Sequence, residues 1–229
     1  MNPNLNEERK LWKKGYKRVA CLDESGRGPL CGPVVAAAVC LSSWKRLRKW
    51  LRKRLRLNLN IPIRDSKKLS AKRREEFYKV LTKHPAIKWG TGVVSEKVID
   101  KINILEATKL AMKRAIKNLK LKTLNFKLDF LILDGKMSLD LPMPQKSIVK
   151  ADEKVFSCAV ASIIAKVTRD GIMQRYHKKY PRYGFDKHKG YPTKYHLKML
   201  KKYSPCKIHR KSFGPVNKIL KIKNQKLKT

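Results

Sequence analysis

The sequence predicts an α/β fold built as one main domain, on three observations. Short apolar runs alternate along the chain with stretches of helical periodicity. Several of those runs end abruptly in carboxylates, the pattern of strands that deliver acids to one edge of a sheet. The 229 residues, 42% of them hydrophobic, suffice for a single buried core.

Residues 1–17 read as a basic, poorly ordered lead-in. Val19-Ala20-Cys21-Leu22 is a first buried strand, and it drives Asp23 and Glu24 onto its end. The turn Gly26-Arg27-Gly28-Pro29 and then Gly32-Pro33 lead to a second apolar run, Val34 to Leu41, so the two strands form a hairpin with an acidic pair at its mouth. Trp44 to Leu57 carries Trp44, Leu47, Leu51 and Leu55 at helical spacing, with lysines and arginines on the other faces. It reads as a peripheral helix with a solvated exterior rather than a membrane-surface helix. Arg64 to Ser70 is a loop in which Ser70 caps a helix beginning AKRREEFYKVL.

Lys88 to Ser95 is a strand, and Glu96 to Leu119 a helix marked by Ile99, Ile102, Leu105, Leu110, Met112 and Ile116. Phe130-Leu131-Ile132-Leu133 is a fully apolar strand stopping at Asp134-Gly135. A proline-rich loop and a short strand, Ser147 to Lys150, lead to Ala151-Asp152. Glu153 to Tyr180 is the longest helix, with a small-residue face suited to close packing on the sheet. Residues 18–180 thus form the α/β domain, 181–216 a region of short helices and basic loops, and 217–229 a loose basic tail.

The 57 basic against 17 acidic residues give a formal charge of +40, which points to a polyanionic partner, nucleic acid in the first place. Part of that charge is ordinary solvated surface. No apolar run reaches the ~20 residues of a membrane span, and the N-terminus lacks an apolar signal core. Cys21, Cys31, Cys40, Cys158 and Cys206 contain no CxxC pair and fit a reduced, cytoplasmic protein. Nothing demands more than a monomer.

In so basic a chain, acids at three strand ends (Asp23-Glu24, Asp134 and Asp152) stand out. Each alone has a plain explanation: Asp134-Gly135 is a turn signal, and Asp152 is placed to cap the long helix. Together, if their strands are neighbours, they make an oxygen-only cluster suited to Mg²⁺ or Mn²⁺. Two such ions about 4 Å apart would clamp the attacking and leaving oxygens of a phosphodiester displacement. A strongly basic protein with such a cluster has the chemistry of a nuclease.

The block Leu22-Asp23-Glu24-Ser25-Gly26-Arg27-Gly28-Pro29-Leu30-Cys31-Gly32-Pro33-Val34 resembles the signature of the ribonuclease HII family. The resemblance continues, in collinear order, through residues 65–69, Asn103 to Thr108, Leu133-Asp134-Gly135, residues 150–152, Ala161 to Asp170, His188-Lys189-Gly190-Tyr191 and Arg210 to Val216. It implies an RNase H-like fold, a mixed central sheet flanked by helices, with a small C-terminal helical region. It also implies metal-dependent endonucleolytic cleavage of RNA in RNA–DNA hybrids, and 5′ of single ribonucleotides in duplex DNA, leaving 3′-hydroxyl and 5′-phosphate ends. Asp23, Glu24, Asp134 and Asp152 match the family's ligands for Mg²⁺ or Mn²⁺, two ions in catalysis.

On the same resemblance Gly26, Arg27 and Gly28 sense the 2′-hydroxyl through backbone that lacks a Cβ at the glycines. Tyr191 matches a tyrosine that stacks on the deoxyribose beside the ribonucleotide. Lys67, Lys68, Lys166, Arg169 and Lys189 are candidate phosphate contacts. Ala151 and Glu153 depart from the family pattern beside Asp152, and Glu153 adds an acid that could perturb the metal centre. The presence of Arg27 and the short lead-in favour this family over the sister ribonuclease HIII.

Overall fold

The computed structural model describes residues 3–42, 69–121 and 127–226. The basic stretch Trp44 to Leu57 and the pair Lys67 and Lys68 lie outside the described residues. In chain order the elements are α1 (Asn6–Lys13), β1 (Val19–Ser25), β2 (Val34–Leu41), α2 (Ala71–Thr82), β3 (Ile87–Val94) and α3 (Glu96–Leu121). There follow β4 (Phe130–Asp134), β5 (Gln145–Ile148), α4 (Ala151–Lys154), α5 (Phe156–Lys179), a 3-10 turn (Pro181–Tyr183), α6 (Phe185–His188), α7 (Lys194–Tyr203) and α8 (Gly214–Lys226).

The five strands form one mixed sheet in the order β3-β2-β1-β4-β5. β1 and β2 are antiparallel, as the hairpin pattern predicts, and so are β2 and β3. β1–β4 and β4–β5 are parallel. Every residue of β2 is buried, because helices cover both faces of the sheet. On one side α3 supplies Ala107, Ala111, Met112, Ala115 and Leu119. On the other, α5 packs its face of small residues, with Phe156, Ala159, Ala161 and Ala165 in the buried layer.

Close approach of α3 to the sheet is set by two glycines in β3. A Cβ on Gly92 would overlap the Ala111 carbonyl and stand 2.7 Å from the Ala115 nitrogen. One on Gly90 would stand 2.5 Å from the Ala115 carbonyl oxygen. The alanine repeat on α3 and the glycines of Trp89-Gly90-Thr91-Gly92 are therefore two halves of one contact.

Four expectations change. The lead-in expected over residues 1–17 holds α1, which is amphipathic: Leu5, Glu8 and Leu11 are buried. Asn4 pairs with Val155, and the Glu8 carboxylate accepts from the Ser157 amide at 3.1 Å and its hydroxyl at 2.6 Å. Val155, the N-cap of α5, makes no side-chain cap bond, so Glu8 supplies one from a distant element. The helix expected from Glu153 to Tyr180 is interrupted at Val155, which is extended, leaving Asp152 in the separate turn α4 rather than at a helix cap.

The helix over residues 96–119 is likewise broken, at Asn103 (φ 65°), whose Oδ1 accepts from the amides of Leu105 and Glu106 and restarts the helix. At the C-terminus, α8 runs as far as Lys226, and its Val216, Ile219 and Leu220 join the cluster of Leu30, Met173, Phe185 and Leu200. Part of the tail expected over 217–229 is thus a packed helix. Among the described residues no helix is long and apolar enough to cross a membrane.

The β3–α3 contact gives a direct test. Gly92→Ala should destabilise the fold by on the order of 3 kcal/mol in urea unfolding, since helix backbone must move to admit a methyl group. Gly171→Ala, where a Cβ would meet nothing within 4 Å, should not destabilise.

Candidate metal centre and substrate cleft

Sheet connectivity brings the acids together. β1 and β4 are parallel neighbours with Leu22 opposite Leu133, so Asp23 and Asp134, one residue further along each strand, sit side by side at the same edge. Asp134 in turn stands opposite Ile148 of β5. Lys150, at φ 57°, turns the chain into α4, which carries Asp152. Asp134 Oδ1 accepts from the Ala151 amide at 2.7 Å and ties that turn to the strand end. As a result Asp23, Asp134 and Asp152 each offer a carboxylate oxygen within 4.8 Å of the other two.

Asp23 and Asp152 are buried. Burial is the main cause that pushes the Asp23 carboxyl well above the usual carboxylate range. The charges of Glu24 and Asp134 add to it, as does Asp152, and a Ser162 hydrogen bond opposes it. Three acids this close stay ionised together only beside cationic charge. The donor set contains oxygen alone, which fits a hard divalent cation. Glu24 lies outside the trio, and its Oε1 accepts from Arg27 Nη1 at 3.2 Å. Glu153 does not enter the trio either; its Oε1 is 3.6 Å from Lys150 Nζ.

Asp23, Glu24 and Asp134 share a cleft with the Gly26–Gly28 turn, Lys166 and Tyr191, while Asp152 is buried and does not line it. The two glycines serve differently. Gly26 is buried at φ +102°, where a Cβ would overlap the Arg169 side chain and lie 2.7 Å from the Pro33 carbonyl oxygen. Gly28 is exposed, and a Cβ there would touch only the Tyr191 ring, at 3.6 Å. Packing therefore demands the first glycine, and the second keeps open the space next to Tyr191.

The candidate phosphate contacts separate. Lys166 borders the cleft, its Nζ 2.7 Å from Asp170 Oδ1. Lys189 lies away from the acids, beside Arg74 and Asp170, and donates to the Asp186 carbonyl. Arg169 is a correction: it is fully buried, and it donates to the carbonyls of Pro33 (3.0 Å), Lys189 (3.0 Å) and Cys31 (3.2 Å). Arg210, to which the sequence alone assigns nothing, is also fully buried. It donates to the carbonyls of Gly32 (3.0 Å), Arg27 (3.0 Å) and Gly26 (2.6 Å). Two guanidiniums thus hold the Gly26–Pro33 loop, a role with no local sequence signature beyond membership of a basic block.

Compared with known proteins, residues 20–216 match the ribonuclease HII family. The chain belongs to that family. Ribonuclease HII of Chlamydia muridarum is 48% identical over 209 residues, 91% of this chain and 88% of its own. That of Caldanaerobacter subterraneus is 47% identical over 215 residues, 93% and 80% of the two chains. The crystal structure of the ribonuclease H2 from Pyrococcus horikoshii superposes with a TM-score of 0.65 at 26% identity, covering 91% of this chain and 99% of that one. This ribonuclease HII family member is accordingly an endonuclease, a hydrolase acting on RNA in RNA–DNA hybrids.

In this member the Tyr191 ring is 42% exposed at the cleft while its backbone is anchored below. Gly190 carbonyl accepts from the Leu30 amide at 2.8 Å, and the Tyr191 carbonyl pairs with His196 Nδ1 at 2.9 Å. His196 Nε2 meets His209 Nε2 at 3.1 Å. Burial, with His188 repulsion adding to it, lowers His196 to about 4; burial and His196 lower His209 to about 3.

An unfolded histidine titrates near pH 6.5, so below that value the unfolded chain takes up these protons first and folding stability declines. Between about pH 6.5 and 4, the unfolding midpoint should therefore fall faster in the wild type than in a His196→Asn/His209→Gln double variant, by thermal melts at matched ionic strength. Parallel pH profiles would contradict the two shifts.

Proposed function

We propose that this endonuclease, besides cutting hybrids, nicks duplex DNA on the 5′ side of a single embedded ribonucleotide, by water attack that leaves a 3′-hydroxyl and a 5′-phosphate. The observation that carries the reading is one cleft lined by Asp23, Glu24 and Asp134, with Asp152 buried against the two aspartates, that also holds the exposed Gly28 and the Tyr191 ring. Asp23, Glu24, Asp134 and Asp152 would hold divalent cations, Mg²⁺ or Mn²⁺, and would be the catalytic residues. When bound, such ions neutralise the clustered carboxylates and supply Lewis acidity at the scissile phosphate.

The chain's own residues do the rest. Asp134 holds the Asp152 turn through the Ala151 amide. Ser162 hydrogen-bonds Asp23 and keeps its carboxylate aimed from β1 into the cleft. Arg27 and Gly28, exposed at the mouth, present backbone to a sugar, where a 2′-hydroxyl is the group that distinguishes RNA from DNA. Tyr191, 3.6 Å from the Cβ position of Gly28, offers a flat ring for the neighbouring deoxyribose. Lys166 is placed to meet a backbone phosphate, which positions the duplex without reading sequence. The charge of +40 supports binding to any nucleic-acid duplex, so selectivity is assigned to the cleft.

Asp134→Asn keeps an oxygen for the Ala151 amide while removing the charge. It should lower hybrid cleavage at saturating Mg²⁺ by at least about 100-fold, with duplex affinity in a gel-shift assay changed by less than about threefold. Undiminished Mg²⁺-dependent cutting would remove Asp134 from the metal centre. The wild type should also nick a duplex carrying one ribonucleotide, with Tyr191→Ala about tenfold slower on that substrate. A requirement for several consecutive ribonucleotides, seen by sizing the products, would refute junction reading.

A further inference from the structure

We propose that His196 and His209 are positioning residues for Tyr191, joined in a one-way hydrogen-bond chain that fixes the height of its backbone in the cleft. The proposal rests on the reading of Tyr191 as the substrate-contacting ring. Direction along the chain follows from its far end. The Cys206 amide N–H points at His209 Nδ1 at 2.9 Å, nearer than the Cys206 Sγ at 3.2 Å or the Cys206 carbonyl oxygen at 3.3 Å. A nitrogen that accepts an N–H carries no proton, so the proton of His209 is on Nε2. That Nε2–H donates to His196 Nε2, 3.1 Å away. The proton of His196 is then on Nδ1, which donates to the Tyr191 carbonyl at 2.9 Å.

A third ring closes the assembly. His188 stacks on His196, with centroids 4.4 Å apart and planes 18° from parallel. Its Nδ1 accepts from the Gly190 amide, and its Nε2 donates to the Tyr183 carbonyl. Both nitrogens of each of these buried or half-buried rings thus have a partner, and the shortest contacts give each nitrogen one protonation state. The turn Lys189-Gly190-Tyr191, which has positive φ at its first two residues, is held from both sides. Gly190 permits this because a Cβ there would stand 2.7 Å from Cys31 Sγ.

Cys31 raises a second possibility for the same atoms. Its Sγ and one ring nitrogen each of His196 and His209 lie within 4.8 Å of one another, a thiol and two imidazoles of the kind that bind zinc. The ring centres of His196 and His209 are 5.3 Å apart for an Nε2–Nε2 distance of 3.1 Å, so the rings point at each other along the line between them. That is the geometry of a shared proton rather than of two ligands converging on a point beside them.

Two experiments decide. Imidazole ¹⁵N spectra of the full chain at pH 7.5 should show His209 as the Nε2–H tautomer and His196 as the Nδ1–H tautomer. The opposite tautomers, or stoichiometric zinc in protein purified without chelator, would overturn the chain. In kinetics, His209→Leu should lower kcat/KM on the single-ribonucleotide duplex about five- to tenfold more than on a uniform RNA–DNA hybrid. His209→Gln, whose amide still donates, should restore the ratio to within about twofold.

Equal losses on both substrates would reduce His209 to a support of the fold and refute the proposal. If Tyr191→Ala showed no selective loss in the same assay, the reading of Tyr191 itself would fail, whatever His209 did. Should His209→Leu not fold, the tautomer spectra decide alone.

Discussion

Six hydrogen bonds from two buried guanidiniums to backbone carbonyls hold the part of the molecule on which the site depends. The Gly26–Pro33 connection between β1 and β2 is buried except at Arg27 and Gly28, without strand or helix partners for several of its carbonyls. Unmet buried carbonyls are costly, and arginine brings several donors in a rigid fork. The arrangement has its own cost: burial, then repulsion from Arg169, brings Arg210 down to about 9, which still leaves it charged at neutral pH. It also explains Gly26. The Arg169 side chain occupies the volume a Cβ would need.

That fixed loop lies at the end of a strand whose neighbour runs parallel to it, and the acids converge for the same reason. Parallel neighbours in register bring corresponding ends to one edge. Asp23 and Asp134 therefore meet without any special turn, and only Asp152 needs one, supplied by Lys150 at positive φ and by the Asp134–Ala151 hydrogen bond. Behind Asp152, α1 continues the support, with Glu8 on the first turn of α5 and Asn4 paired to Val155. The acidic edge is thus secured from the N-terminal side by α1 and from the C-terminal side by Arg210.

Much of this was legible in the residues. Apolar runs stopping at acids gave the strands and, through their ends, the three carboxylates that meet. The glycine-rich turn between two apolar runs gave the hairpin, the alternation of strands with helices gave the α/β class, and the mixed sheet came from the family resemblance. Arg169, expected at a phosphate, is buried because its partners are carbonyls up to 138 residues away, and such contacts leave no periodicity to read. Arg210 was hidden in the same way. The breaks at Asn103 and Val155 escaped because the apolar spacing continues across them while the backbone does not. In the lead-in, basic composition masked the burial of Leu5, Glu8 and Leu11. Glu153, whose effect on the neighbouring acids the sequence left open, has its Oε1 3.6 Å from Lys150 Nζ.

The bond from Arg210 to the Gly26 carbonyl joins residues 184 positions apart. A chain leaving the ribosome makes β1 and the turn long before the donor that completes the turn. Contacts of such long sequence separation form late and slow folding. The nascent protein consequently carries Asp23 and Glu24 beside an unfinished loop until Arg210 has been made. A chain that stops short of residue 210 keeps all four acids and lacks one of the two guanidiniums that hold the Gly26–Pro33 loop beside them.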